Sequence, residues 1–221
     1  DRHETRFAIQ ILRDQIGQRV YPAHRLDKGT SGVLLFGLST AVCQQLGHLF
    51  ETRQMHKRYL AVVRGHPPEA GLIDHALTRT RDDHEAPARP APPDHTTTAA
   101  QPAQTRYRRL ATTEQPWALD RWPTSRYALL ELDPVTGRRH QLRRHLKHIA
   151  HPIIGDATYG KGAHNRMFQQ QLDCHRLLLA CTELAFTHPV SGAPLTLRAP
   201  LSGDFAALLH RLGWPDPTAG G

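Results

Sequence analysis

The run His24-Arg25-Leu26-Asp27, followed by Lys28-Gly29-Thr30-Ser31-Gly32 and the apolar stretch Val33 to Leu38, constrains this chain more than any other segment. A lone acid followed by Gly, Thr, Ser and Gly spells a turn, and Asp is itself a common turn residue. A turn that feeds an apolar run presents its polar side chains where a strand begins, not on a helix face or inside a sheet. The neighbours of Asp27 are basic on one side and small on the other. One reading is a carboxylate kept ionised and open to a substrate; the plainer one is an aspartate that caps its turn.

At 221 residues the chain suits one domain of generous size. Apolar residues make up 39% of it, enough for a buried core, and a mean hydropathy of -0.51 marks a polar surface. No apolar stretch reaches the roughly 18 residues that a membrane span needs. The N-terminal DRHETRFAIQ has no apolar signal core and no starting methionine, which suggests that a first segment is missing. Cys43, Cys174 and Cys181 are sparse, odd in number and without a CxxC, so a reducing, cytoplasmic setting is expected, with no membrane partner.

Basic residues outnumber acidic ones 28 to 20, giving a net charge of +8 and a pI near 9.9; 16 histidines add latent charge below neutral pH. Such a surplus is one mark of a nucleic-acid partner, but a solvated basic surface gives the same number. Where the charge falls decides.

Helical spacing of Phe7, Ile11, Leu12 and Ile16 predicts a helix from about Thr5 to Ile16, stopped by Gly17. A buried strand is expected from Val33 to Leu38, then a helix capped by Ser39 and carrying Val42, Leu46 and Leu49. KRYLAVVRG (Lys57 to Gly65) and the segment around Ile73 read as strands, and Tyr59 by default is a core aromatic. Residues 79–104 are rich in Pro, Ala, Thr and charge, and predict a flexible insertion. After it, QTRYRRLATTE and SRYALLELDP read as paired strands. A helix is expected from Gly137 to Pro152, and RLLLACTELAFTHP reads as a buried strand. That strand turns through Ser191-Gly192 into a hairpin, and DFAALLHRLG closes with an amphipathic helix. Consecutive strands with few helices between them predict an α+β fold with a mixed, mostly antiparallel sheet, flanking helices and a central cleft.

Charge concentrates between Arg138 and His151, where Arg138, Arg139, Arg143, Arg144 and Lys147 occur with four histidines and no acid. On a helix, Arg139, Arg143 and Lys147 would form one stripe at i, i+4, i+8. Like charges at that spacing repel, and an anionic partner would offset the cost. His145, His148 and His151 invite a zinc reading, but no carboxylate or thiolate lies nearby in the sequence to complete a ligand set. Ser31 lacks the last glycine of a nucleophile elbow, and neither GxGxxG nor GxxxxGK[ST] occurs, so no nucleotide cofactor and no metal are expected.

HRLDKGTSGVLLFGLS, KRYLAVVRG, GRRHQLRRHLKHIAHPIIGDATYG with its short Gly/His/Asn sequel, and RLLLACTELAFTHPVSG resemble, in order and spacing, the motifs of the RluA family of pseudouridine synthases. The resemblance spans nearly the whole chain, 1–221, apart from the insertion. It implies one catalytic domain of that fold, lacking its N-terminal strands, and an isomerase that needs no cofactor. Carried over by motif, Asp27 matches the catalytic aspartate. Tyr59 matches the tyrosine stacked on the uracil, and Arg143 the basic partner of the aspartate. Arg25 matches the arginine that holds the target nucleotide out of its helix, Arg138, Arg139, Arg144 and Lys147 would meet phosphates, and one of Leu177, Leu178 and Leu179 would lie under the base. The nearest resemblance within the family implies a tRNA partner, modified at uridine 65 of the T-stem next to the acceptor stem, and a monomer. Where relatives read Leu-His-Ala, this chain has Leu179-Ala180-Cys181, which removes one polar contact near the pocket. Ribosomal RNA as the target, or a non-catalytic RNA-binding module, are the alternatives.

Overall fold

The computed structural model describes residues 6–79, 99–119 and 121–219. In chain order its elements are α1 (Ala8–Ile16), β1 (Tyr21–Pro22), β2 (Ser31–Gly32), β3 (Phe36–Gly37), α2 (Thr40–Glu51), β4 (His56–Arg64), β5 (Ala70–Asp74), β6 (Gln104–Gln115), β7 (Ser125–Pro134), α3 (Gln141–His148), α4 (Gly162–Leu172), β8 (Leu179–Thr187), β9 (Pro194–Arg198) and α5 (Gly203–Arg211). They fall into two compact units, Asp1–Leu60 with Leu179–Gly221, and Ala61–Leu178. This is the expected α+β class. β1–β3, β5–β6, β6–β7 and β8–β9 pair antiparallel, while β2 pairs β8 in parallel.

In the first unit, α1 ends as the sequence predicts, at Gly17 with φ +68°. The hydroxyl of Ser39 caps α2, accepting the Val42 N–H at 3.2 Å. The β8–β9 hairpin sets Leu184 opposite Leu197 and closes through Gly192 at φ +70°. Leu46, Met55, Cys181, Leu184 and Phe186 form the core, with Leu26, Val33 and Leu35 packed on it.

Of the expected strand Val33–Leu38 only Phe36–Gly37 (β3) forms; Ser31–Gly32 (β2) precedes it, and the chain changes partner between the two. Gly32 lies opposite Cys181 of β8, whereas Phe36 lies opposite Pro22 of β1. A β-carbon on Gly32 (φ +112°) would fall 1.9 Å from the Cys181 carbonyl oxygen, so only glycine allows this approach.

In the second unit, the end of β4, then β7, β6 and β5, lie side by side. β6 and β7 pair from Thr105 opposite Pro134 to Gln115 opposite Ser125, with a bulge between Arg109 and Ala111. Tyr127, Ala128, Leu129 and Leu130 are each 0% exposed, so β7 is covered on both faces. Each leucine so buried contributes about 1.5–3 kcal/mol. The expected insertion overlaps this unit: Gln101 bridges Leu77 and Ala103 is fully buried, so its last residues belong to the sheet. Residues 80–98 of it lie outside the described residues.

The helix expected from Gly137 to Pro152 is shorter. His140 stands in the left-handed region at φ 52°, and the helix begins only at Gln141. It stops in a Schellman motif, with His151 N–H donating to Leu146 O at 2.8 Å and Ala150 N–H to Lys147 O at 3.0 Å. Arg139 therefore lies outside the helix and the stripe of Arg139, Arg143 and Lys147 does not form. Lys147 is exposed, Arg139 half-buried and Arg143 buried. α4 has two buried residues, His164 and Phe168, too few for a periodic signal in the sequence.

Replacing Gly32 with Ala is expected to lower stability by more than about 2 kcal/mol through loss of the β2–β8 pairing. Urea unfolding checks this; an unchanged midpoint would show that the approach tolerates a side chain.

Candidate active site

Asp27 opens a β-turn that closes with Thr30 N–H donating to Asp27 O at 2.9 Å, and Gly29 at φ +84° makes it type II. The loop around the turn is held by His24. Its Nε2 accepts the Leu35 N–H at 3.0 Å, its ring stacks on Phe50 at 4.5 Å, and Ala23 N–H donates to Leu35 O. Burial pulls the imidazole down to about 4, so it is neutral at neutral pH and its acceptor lone pair persists. Arg25 projects from this loop and is exposed, whereas Asp27 is half-buried.

Tyr59 stands on β4 within the same unit. Its pKa is raised well above the usual value, first by burial, then by the neighbouring Cys181 side chain, and by the charge of Asp27. The phenol is therefore neutral and lies within electrostatic reach of the Asp27 carboxylate. Cys181 is fully buried and its thiol is pushed up to about 11, again chiefly by burial, so it remains protonated. The thiol donates to Glu183 O at 3.9 Å. Lys57, one strand repeat from Tyr59, is near enough to draw down both His24 and Cys181.

In the second unit Arg143 forms a two-pronged ion pair with Asp156, Nε to Oδ2 at 2.7 Å and Nη2 to Oδ1 at 2.9 Å. The side chains are 8% and 0% exposed. Asp156 Oδ1 also accepts the Thr158 and Tyr159 N–H groups, at 2.9 and 2.8 Å. Burial pushes this carboxyl up, but the Arg143 and backbone hydrogen bonds outweigh it and hold it below the usual carboxylate range. Tyr159 covers the pair: the Arg143 guanidinium lies 5.1 Å and the Lys147 ammonium 5.7 Å from its ring centre. Two of the five guanidinium N–H groups serve Asp156; three take no part in that pair.

A satisfied polar network sets the angle of α3. Gln141 Oε1 accepts Thr136 Oγ1–H at 2.6 Å and Arg138 N–H at 2.9 Å, while its amide donates to Gln104 O and Thr105 Oγ1. Thr105 Oγ1 meets His145 Nδ1 at 2.9 Å, and His145 Nε2 meets His75 O at 3.0 Å. His148 stacks on His75 at 3.6 Å, and His151 bonds Arg64 O. Among the described residues no group of three or more His, Cys, Asp or Glu could hold a metal ion.

The structure thus brings Asp27 and Tyr59 together in one unit, with Arg25 on the same loop as Asp27, and places Arg143, Arg144 and Lys147 on α3 of the other. Arg138 Nε donates to Pro102 O at 3.3 Å, and Arg144 to Thr78 O at 2.9 Å. Leu177, Leu178 and Leu179 are buried at 6%, 0% and 2% exposure. His24, Gln141, Cys181 and Asp156 were not assigned roles from the sequence. Asp156 carried a signal as the first acid downstream of an acid-free basic run, and His24 as the first residue of the HRLD run.

The family model described as RNA pseudouridylate synthase matches residues 1–148. A protein named tRNA pseudouridine synthase C from Pectobacterium carotovorum subsp. carotovorum is 50% identical over 214 residues, covering 97% of this chain and 56% of that one. A protein of the same name from Vibrio parahaemolyticus is 44% identical over 216 residues, covering 98% and 86%. Among solved structures, human RNA pseudouridylate synthase domain containing 4 superposes with a TM-score of 0.66 at 27% identity, covering 93% of this chain and 80% of that one.

Asp156→Asn is expected to cost about 3–5 kcal/mol at neutral pH, because it removes the charged partner from a buried two-pronged ion pair. With its folded pKa depressed, Asp156 stabilises the fold above the unfolded carboxyl pKa and loses that effect as pH falls through the folded one. Urea unfolding at pH 7 and pH 2 should therefore show a large difference between variant and parent that shrinks in acid.

Proposed function

This chain belongs to the RNA pseudouridylate synthase family, and we propose that it isomerises uridine to pseudouridine in tRNA, at uridine 65 of the T-stem. Members of the family are isomerases. The relatives from Pectobacterium and Vibrio, both named tRNA pseudouridine synthase C, support tRNA over ribosomal RNA. A cytoplasmic, monomeric enzyme is part of the same proposal.

The reaction breaks the bond between ribose C1′ and uracil N1, turns the base, and joins C1′ to C5. The proton leaves C5 and N1 ends protonated, so atoms and electrons balance without a redox partner. Asp27 is the residue proposed to act on the nucleotide, by attack on the sugar or the pyrimidine or by taking a ribose proton. What supports this role is the placement of Asp27 on its turn and of half-buried Tyr59 on β4 in the same unit, near enough for the Asp27 charge to help raise the phenol's pKa. The neutral phenol would offer the uracil a ring to stack on and a donor or acceptor near C5.

Arg143 is proposed as the cation of the site, with Asp156 fixing its plane. A stem uridine must leave its stack, at a cost of a few kcal/mol, and the exposed Arg25 is the side chain proposed to fill the vacancy. Exposed Lys147, with Arg138, Arg139 and Arg144, would meet phosphates and fix position without reading sequence. One of Leu177, Leu178 and Leu179 would support the base.

Asp27→Asn should abolish pseudouridine formation in tRNA while leaving tRNA affinity within a few-fold, as read by pseudouridine mapping and filter binding. Retained turnover would overturn the assignment of Asp27, and pseudouridine appearing only in ribosomal RNA would overturn the tRNA target. Arg143→Lys keeps the charge paired with Asp156 but loses the fork, so turnover should fall by at least about ten-fold in a folded protein. Unchanged turnover would reduce Arg143 to a structural role.

A further inference from the structure

We propose that the second unit carries a separate pocket for one unpaired nucleotide of the RNA substrate, with the base against Trp122 and the phosphate between Arg64 and Arg126. The inference rests on the RNA-modifying role above but uses none of its site residues. The cavity has a volume of about 330 Å³ and is lined by Arg64, Trp122, Ser125, Arg126, His151 and His164 among others. That size lies within the roughly 300–1,000 Å³ of small-molecule sites.

The loop between β6 and β7 holds two tryptophans with opposite fates. Trp117 is set against Tyr127 and Phe168, with ring centres 5.6 and 5.5 Å away, and its carbonyl accepts the Ser125 hydroxyl at 2.8 Å. Trp122 is 58% exposed at the cavity, with the Arg121 guanidinium 5.1 Å from its ring centre. One indole anchors the loop, and the other is left at the surface where a flat apolar ring can cover it.

The polar side of the pocket is cationic. Two guanidiniums and two imidazoles line it, and among the described lining residues none is an acid. Glu114 holds Arg126 through Nε at 3.0 Å, which orients the guanidinium without entering the pocket. The walls are built closely: a β-carbon on Gly65 (φ +83°) would fall 2.8 Å from His151 Nδ1, and the Tyr127 hydroxyl meets His164 Nδ1 at 2.9 Å. An exposed aromatic face beside arginines suits a single-stranded nucleotide, whose base offers a face to stack and whose phosphate offers charge. A base paired within a duplex offers no such face.

The test uses the full chain, a fluorescent hexauridylate and uridine monophosphate. Trp122→Ala should weaken hexauridylate binding about ten-fold, within the range expected for the loss of one stacked base, while Trp122→Phe should restore most of it. Arg126→Gln should weaken binding and flatten its salt dependence. On tRNA, Trp122→Ala should raise KM and leave kcat unchanged. Unchanged hexauridylate affinity in both Trp122→Ala and Arg126→Gln would overturn the pocket; Arg126→Gln alone decides if Trp122→Ala does not fold. Uridine monophosphate competing as well as the oligomer would also overturn it, in favour of a free-nucleotide site. Hexauridylate binding that depends on Trp122 in a protein unable to modify tRNA would leave the pocket standing and count against the proposed reaction instead.

Discussion

The buried pairing of Arg143 with Asp156 is the constraint from which the second unit is organised. A guanidinium at 8% exposure without an acid against it would be strongly destabilising. Asp156 does more than neutralise it. By accepting the Thr158 and Tyr159 N–H groups it also shapes the loop that carries Tyr159 over the pair. Gly155 and Gly160 make this loop possible, since a β-carbon at either would run into backbone, 1.8 Å from Arg176 O and 2.2 Å from Asp156 O. The charge is thereby fixed in direction as well as in place, which an exposed basic face could not achieve.

The first unit reaches a fixed carboxylate by another route. A neutral imidazole ties the two ends of the Asp27 loop, a glycine brings β2 against β8, and Leu26, Val33 and Leu35 pack beneath it. The turn is rigid because its flanks are apolar and its backbone groups are satisfied. Tyr59, neutral and half-buried on β4, lies within electrostatic reach of Asp27.

The hairpin of β8 and β9, the long pair β6–β7 and the Ser39 cap were legible because each depends on alternation or on a single local hydrogen bond. Asp27 and Tyr59 stand out in the sequence as motif residues, and the structure puts the turn of one and the strand of the other in the same unit. The partner of Arg143 was not, since it lies 13 positions away and no local pattern links the two. The same holds for Gln141, which looks like an ordinary helix residue until Thr136, Gln104 and Thr105 close around its amide. The apparent basic stripe failed for a related reason: His140 and Ala150, both at positive φ, shorten the helix that would have displayed it.

By itself the sequence determined the longer elements, the turn that opens at Asp27 and the excess of positive charge. These are consequences of local backbone preference, periodicity and composition, and they need no knowledge of what lies across the chain. Only the tertiary structure decided which charges are buried and which meet water. Burial sets whether a cation must find an acid within the chain, as Arg143 finds Asp156, or can keep its charge at the surface, as Lys147 does.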